Sequence, residues 1–379
     1  MKAIVHGKII MENKIAEDLV LLYDEKIEKL LPLADFLPEN YAEIIDAAGR
    51  YISPGFINVH IHGCKGVDVM DDTPEALALM RQVLPATGVT AFLPTTMTAD
   101  FSAIYRSLAQ IRTAMGVASG ADVLGGHLEG PFISEAYKGA QAAKHIVAAA
   151  FNRISEYKDT IKIITLAPET LKDYSFFADC RQNGILVSQG HSAADYAQSM
   201  EAIATGVSRV THLFNAMPAL HHRRPGVVGA ALDTTVNCEL IADNVHVHPA
   251  LQRLVYRSKK PENIILITDS MRACLLPDGI SELGGQTVFV EKQIARLADG
   301  TIAGSVLTMN EAVRRFRDNT GADLPAVIAM ASANPARELG IYGERGSIAV
   351  GKRADLTIFD ADLTIFKTIV KGKMVYCKE

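Results

Sequence analysis

The sequence predicts an α/β fold: a (β/α)8 TIM-like barrel joined to a small β-sandwich domain built from both termini. Three observations lead there. Eight short apolar runs between residues 56 and 269 alternate with helical patterns, the signature of a parallel sheet buried on both faces. Histidines and carboxylates stand at the C-terminal ends of these runs, where barrel chemistry collects. The two ends of the chain carry a different style of short alternating segments.

The candidate barrel strands are Phe56 to His62, Val89 to Pro94, Val123 to Glu129, Ile161 to Ala167, Ile185 to Gly190, Arg209 to Phe214, Cys238 to Ala242 and Ile264 to Asp269. Between them, Thr73 to Pro85 opens with Thr-Pro-Glu, Asp100 to Met115 places apolar residues at helical spacing, and Ser192 to Thr205 opens with Ser-Ala-Ala-Asp. An open doubly wound sheet is the alternative, but no Gly-x-Gly-x-x-Gly follows the first strand. The terminal segments are Ala3 to Ile10, Asp18 to Tyr23, Lys26 to Leu31 and Glu43 to Asp46, then Gly346 to Lys352, Ala354 to Phe359, Leu363 to Val370 and Lys373 to Tyr376. Residues 1–50 and 345–379 are therefore assigned to the small domain, and 51–344 to the barrel.

Composition narrows the function. At 379 residues and 49% hydrophobic, with 28 Gly and 15 Pro, the chain suits a well-buried enzyme core. No run of 18 uncharged apolar residues suggests a membrane span, and the charged start Met1 to Lys8 does not read as a signal peptide, so a cytoplasmic protein is expected. The five cysteines are scattered without Cys-x-x-Cys pairs, which argues against a disulfide framework and a thiolate zinc site. A net charge of −5 without a basic tract makes nucleic acid a poor partner.

The chemistry lies at the strand ends. His60 and His62 stand two apart, so on a strand both imidazoles point to one side. Alone, the pair reads more readily as two ordinary strand histidines. Glu129, His191, His212 and Asp269 hold equivalent places on other strands, and six such residues on five strands point to a metal site. Imidazole and carboxylate without thiolate suit Zn²⁺ or Fe²⁺. Glu129 could bridge two ions, with His60 and His62 on one side and His191 and His212 on the other. A single ion held by Glu129, His191 and His212 is the simpler version. Such a site activates water, and Asp269 on the last strand is placed to accept its proton.

The run Pro54 to Gly63 resembles the opening motif of the amidohydrolase superfamily. Gly126-His127-Leu128-Glu129-Gly130-Pro131-Phe132, Gly190-His191-Ser192, Thr211 to Pro218, Ile241-Ala242-Asp243, Thr268-Asp269 and Ala303-Gly304-Ser305 are similar to the N-acetylglucosamine-6-phosphate deacetylases within it. The resemblance runs nearly the whole chain and includes Ala333 to Ala336 and Gly351 to Leu356. It implies a divalent metal at Glu129, His191 and His212, with Asp269 as general base and acid. It also implies sugar-phosphate contacts at Ala140, Gln141, Asn215, Ala216, Arg223, His246, Ile302, Ala303 and Gly304. Some members lack the counterparts of His60 and His62 and hold one ion; this chain has both, so one or two per subunit are implied. Gln141 stands where other members have histidine, and Asn244 where glycine is common.

The loop His221-His222-Arg223-Arg224-Pro225-Gly226 follows strand six, and a guanidinium there suits a phosphate. In the family this arginine reaches the neighbouring subunit's site, which implies a homodimer. The implied activity is hydrolysis of the acetamide of N-acetyl-D-glucosamine 6-phosphate, or of its galactosamine epimer. A cyclic amide hydrolase or deaminase of the same superfamily is a rival, although no strand ends in the bridging lysine those enzymes often use. A catalytically silent scaffold is the third reading, and it should have lost ligands that are all present.

Overall fold

The computed structural model describes residues 1–378 and contains the expected barrel. Its strands are β1 (Phe56–Ile61), β2 (Val89–Thr96), β3 (Gly126–Glu129), β4 (Ile161–Leu166), β5 (Leu186–Gln189), β6 (Val207–Val210), β7 (Asn237–Ile241) and β8 (Ile264–Ile267). Each pairs in parallel with the next. The ring closes just past β8, where Ser270 bridges to Ile61, and the amides of Asp269 and His62 donate to the carbonyls of His60 (3.0 Å) and Ser270 (2.9 Å). Every residue of β1, β2 and β8 is buried, as a sheet covered on both faces requires.

The expected helices form, with ends set by local caps. Thr73 accepts from the Glu75 amide ahead of α1 (Pro74–Val83), and Asp100 accepts from the Ala103 amide ahead of α2 (Phe101–Ala114). The third begins later than Ser192: Asp195 and Gln198 form a capping box that starts the helix at Tyr196, leaving residues 192–194 in the active-face loop.

The two chain ends form two sheets. One orders Ile27–Pro32, Leu19–Tyr23, Lys2–Val5 and Glu43–Asp46. The other orders Lys373–Cys377, Ile365–Val370, Leu356–Phe359, Tyr51–Pro54, Lys8–Ile10 and Ile15–Ala16. Ile4 and Leu21 from the first pack with Ile9, Ile52, Leu356 and Ile369 from the second. Tyr51–Pro54, counted with the barrel from sequence, is bonded into this second sheet.

Four expected strands differ. In the barrel, Val123 to Glu129 is interrupted at residues 124–125, and Arg209 to Phe214 stops at Val210, where the chain turns. Ala3 to Ile10 breaks at His6, whose φ is 53°, into two strands in different sheets. Gly346 to Lys352 is a turn; Gly346 and Gly351 have φ of 91° and 88°, and residues 351 and 352 hydrogen-bond Ile27 from outside the strands.

A three-stranded antiparallel sheet follows β8 without a sequence-based expectation: Gly279–Leu283, Gln286–Glu291 and Ile294–Leu297. Its inner residues Leu283, Val288, Val290 and Ala295 pack with Met97, Met271 and Ala303. This packing places the sheet over the C-terminal face of the barrel. No helix among the described residues is long and apolar enough to cross a membrane.

Candidate metal and substrate site

His60 lies near the end of β1 and His62 just past it, Glu129 ends β3, and His191, His212 and Asp269 stand two residues past the ends of β5, β6 and β8. All six are at least nine-tenths buried. The last three occupy the left-handed backbone region, with φ of 47°, 30° and 50°. L-residues hold that conformation at a cost, and it turns each side chain inward just where its strand stops. Gly190 precedes one such turn because a Cβ there would lie 2.7 Å from Thr211 and 2.8 Å from Thr165.

The outer nitrogen of each imidazole is already engaged. Nδ1 meets Glu239 in His60 (3.0 Å), the Thr95 carbonyl in His62 (3.1 Å), the Tyr137 carbonyl in His191 (2.9 Å) and the Asn215 carbonyl in His212 (3.1 Å). These acceptors fix the proton on Nδ1 and leave the Nε2 lone pairs facing inward. His191 Nε2 and His212 Nε2 lie 3.2 Å apart, each within 3.3 Å of Glu129 Oε1. On the other side, His60 Nε2 and His62 Nε2 are 3.4 and 3.2 Å from Asp269 Oδ1. Glu129 lies between, its Oε1 3.4 Å from His60 and its Oε2 3.3 Å from His62.

Two neutral imidazole nitrogens that face each other at hydrogen-bond distance repel unless a cation lies between them. His60 Nε2, buried, also has no hydrogen-bond partner. Both observations fit a divalent ion, and the donor atoms fall into two groups of three: Glu129, His191, His212 and His60, His62, Asp269. Without an ion, protons substitute. Burial opposes a charge on His212, but Glu129 together with Asp269 and Glu239 outweighs it and drives the imidazole up to about 9. His62 is likewise raised against the effect of burial, by Asp269 and Glu129. Burial alone would raise both carboxyls, yet His60 with His191 holds Glu129 down, and His60 with His62 holds Asp269 down.

Sequence reading missed the support beneath β1. Glu239, fully buried on β7, accepts from His60 Nδ1 and the His212 amide (3.1 Å), and pairs with Arg209. Arg209, on β6 and fully buried, reaches Glu338 on its other side at 2.5 Å. Its charge holds the Glu239 carboxyl far below the usual range, against burial. A lone glutamate in the apolar run Asn-Cys-Glu-Leu-Ile was the available signal, because a buried carboxylate requires a partner. His127 belongs to the core: both its nitrogens are bonded, to the Val59 carbonyl and to Thr165, and burial with nearby His60 pushes it down to about 3.

A cavity of about 250 Å³ opens over the cluster, lined by His62, Glu129, His191, His212 and Asp269. Of the expected sugar-phosphate residues, Ala140, Gln141, Asn215, Ala216, His246, Ile302 and Gly304 line it. Ala303 does not; it is fully buried against Met271 and the three-stranded sheet. Arg223 is also outside this cavity, exposed on its loop. Gln141 is fixed by two bonds, accepting from the Thr98 amide (2.7 Å) and donating to Glu129 Oε2 (2.8 Å). His246 is held through Nδ1 by Asp243 Oδ2 at 2.6 Å, while Asp243 Oδ1 accepts the amides of Val245 and His246. Asn244 takes the left-handed turn between them (φ 68°), and its side chain accepts from Gln252 and Asn319.

The amidohydrolase family model matches residues 51–375. The chain belongs to the amidohydrolase family. It is 41% identical over 349 residues to the N-acetylglucosamine-6-phosphate deacetylase of Bacillus subtilis strain 168, covering 89% of this chain and 88% of that protein. It is 37% identical over 358 residues to the N-acetylgalactosamine-6-phosphate deacetylase of Escherichia coli O157:H7, covering 93% of each. This amidohydrolase superposes on the N-acetylglucosamine-6-phosphate deacetylase of Pasteurella multocida with a TM-score of 0.94, at 32% identity over all of both chains.

Proposed function

We propose that this amidohydrolase removes the acetyl group of N-acetyl-D-glucosamine 6-phosphate, giving D-glucosamine 6-phosphate and acetate. The observation that carries this reading is the convergence of inward-facing imidazole nitrogens and carboxylates under a small cavity, in a chain whose relatives bear that name. The galactosamine epimer is the alternative, because one comparable relative is named for it.

Glu129, His191 and His212 would hold one divalent ion, zinc or iron, and His60 and His62 with Asp269 a second. The ion would supply Lewis acidity, lowering the pKa of water and polarising the amide carbonyl. Asp269 accepts the proton of the attacking water and passes it to the nitrogen, since an amine anion is too basic to leave. His246, whose Nδ1–H is donated to Asp243, would donate from Nε2 as the imidazolium to the oxygen where charge develops. Asn215, Ala216, Ala140, Ile302 and Gly304 would shape the sugar subsite, and Gln141 orients Glu129. Arg223 would complete the phosphate subsite of a neighbouring subunit, which makes the working unit a homodimer. Five free cysteines, four of them buried, suit a reducing cytoplasm.

Incubation of the purified protein with the two epimeric N-acetylhexosamine 6-phosphates, measuring acetate and primary amine together, tests the reading. Equimolar acetate and amine from the glucosamine compound, faster than from its epimer, is the expected result. Release from neither would overturn it.

A further inference from the structure

One carboxylate oxygen reaches both halves of the cluster. Glu239 Oε2 accepts from His60 Nδ1 at 3.0 Å and from the His212 amide at 3.1 Å, and the Glu239 backbone carbonyl accepts from the Leu213 amide at 2.9 Å. His60 belongs to the donor group with His62 and Asp269, His212 to the group with Glu129 and His191. The other outer acceptors, the carbonyls of Thr95, Tyr137 and Asn215, each hold a single imidazole.

The two contacts of Glu239 differ in kind. On β1 it holds a side chain, keeping the proton on Nδ1 of His60 and the Nε2 lone pair inward. After β6 it holds the backbone. His212 has a φ of 30°, which an L-residue keeps only where its surroundings impose it, and Glu239 takes the amides of that residue and the next.

The carboxylate is itself anchored. Arg209, fully buried like Glu239, pairs with Glu239 Oε1 on one side and with Glu338 on the other, and Asn237 donates to Glu338 at 3.0 Å. Desolvation offsets most of the attraction in such a pair, so its use here is direction: Oε1 is committed to Arg209, which leaves Oε2 for His60 and His212. A third donor set, His60, His127 and Glu239, is closed to an ion, because both His127 nitrogens are bonded and Glu239 is tied to Arg209.

We infer that Glu239 is a positioning residue shared by both proposed ion positions, so that disturbing it weakens the ion of the Glu129, His191 and His212 group as well as that of the β1 pair. It acts on one through an imidazole and on the other through a turn. The inference rests on the metal site proposed above and is independent of which acylated sugar is cleaved.

Zn²⁺ titration of the metal-free full chain tests it. Glu239→Gln should weaken the ion of the β1 pair about 10- to 100-fold, since an amide that keeps its oxygen on Arg209 turns an N–H toward His60. The shared role is read in the His60→Ala, His62→Ala background, where one position remains. Adding Glu239→Gln there should weaken the remaining ion about fivefold or more and speed hydrogen exchange of residues 211–215, an effect that can pass only through the His212 turn. Glu338→Gln, which breaks the far end of the relay, is the control for general loosening: Tm should fall while both affinities stay within about threefold. Where Glu239→Gln does not fold, Glu239→Asp, which keeps a charge for Arg209 on a shorter side chain, gives the same comparison. Unchanged affinity of the remaining ion would overturn the shared role, as would equal losses in Glu338→Gln. Wild-type protein that takes up no Zn²⁺ would overturn the metal reading and this inference together.

Discussion

Asp243 makes His246 a directional group. Its two oxygens hold one imidazole nitrogen and two backbone amides, so only Nε2 is free to act in the cavity. Asp243→Asn, which keeps the shape but weakens the charged bond, should lower kcat by about 10- to 100-fold with metal content unchanged. Metal loss in this variant would mean that Asp243 supports the fold of the β7 loop instead. His246→Gln should keep a measurable rate, because one lost donor to a developing oxyanion costs about 10² to 10³. A rate at the uncatalysed background would show that His246 does more than donate. The clustered strand-end histidines and carboxylates are legible in the sequence because an apolar strand has no other use for them. Glu239 and Asp243 were not, because each acts on another side chain that only the fold brings near.

Among the elements, β1 and the turns after β5, β6 and β8 supply the donor atoms proposed to hold metal. The β1 pair carries its own outer partners, Glu239 and Thr95, and groups with Asp269, while Glu129 lies between it and His191 and His212. Replacing His60 and His62 together by alanine should remove one ion per chain and spare the other, read by metal analysis of purified protein. Loss of all metal would show that β1 belongs to a single shared site. The eight strands and their caps could be read from apolar runs and Thr or Asp signals. The three-stranded sheet over the site alternates correctly, with Val288 and Val290 inward and Thr287, Phe289 and Glu291 outward. Nothing in that local pattern says that it packs on Met97 and Met271, nor that it turns Ala303 away from the cavity.

For the whole molecule, the cluster links stability to pH and metal. His212 is raised from 6.5 to about 9 in the metal-free protein. Its contribution is complete below the unfolded value of 6.5 and is lost as pH rises through 9. Glu239, held low, weakens the fold only in acid, below its ordinary 4.5, so the two windows do not overlap. The Tm of metal-free protein should therefore fall between pH 7 and about 9.5, while saturating Zn²⁺, which needs the imidazoles deprotonated, should remove or reverse the trend. A metal-free Tm that rises over that range would contradict the cluster's charge balance. Arg223, exposed on its own subunit, should matter through a partner: Arg223→Ala should weaken kcat/KM for the 6-phosphorylated sugar by about 1.5 to 3 kcal/mol and barely affect the unphosphorylated one. Equal effects on both sugars would make the loop structural.

The most direct test of the whole reading is kcat/KM of Asp269→Asn at full metal loading, with metal content measured on the same sample. The amide keeps the shape of the side chain but cannot carry the proton from water to nitrogen. Activity should fall by about 10³ or more, with substrate still bound and the ion of the Glu129, His191 and His212 group retained. Most of the activity surviving with metal intact would contradict the assignment of Asp269 as the proton carrier, and with it the chemistry proposed for this site.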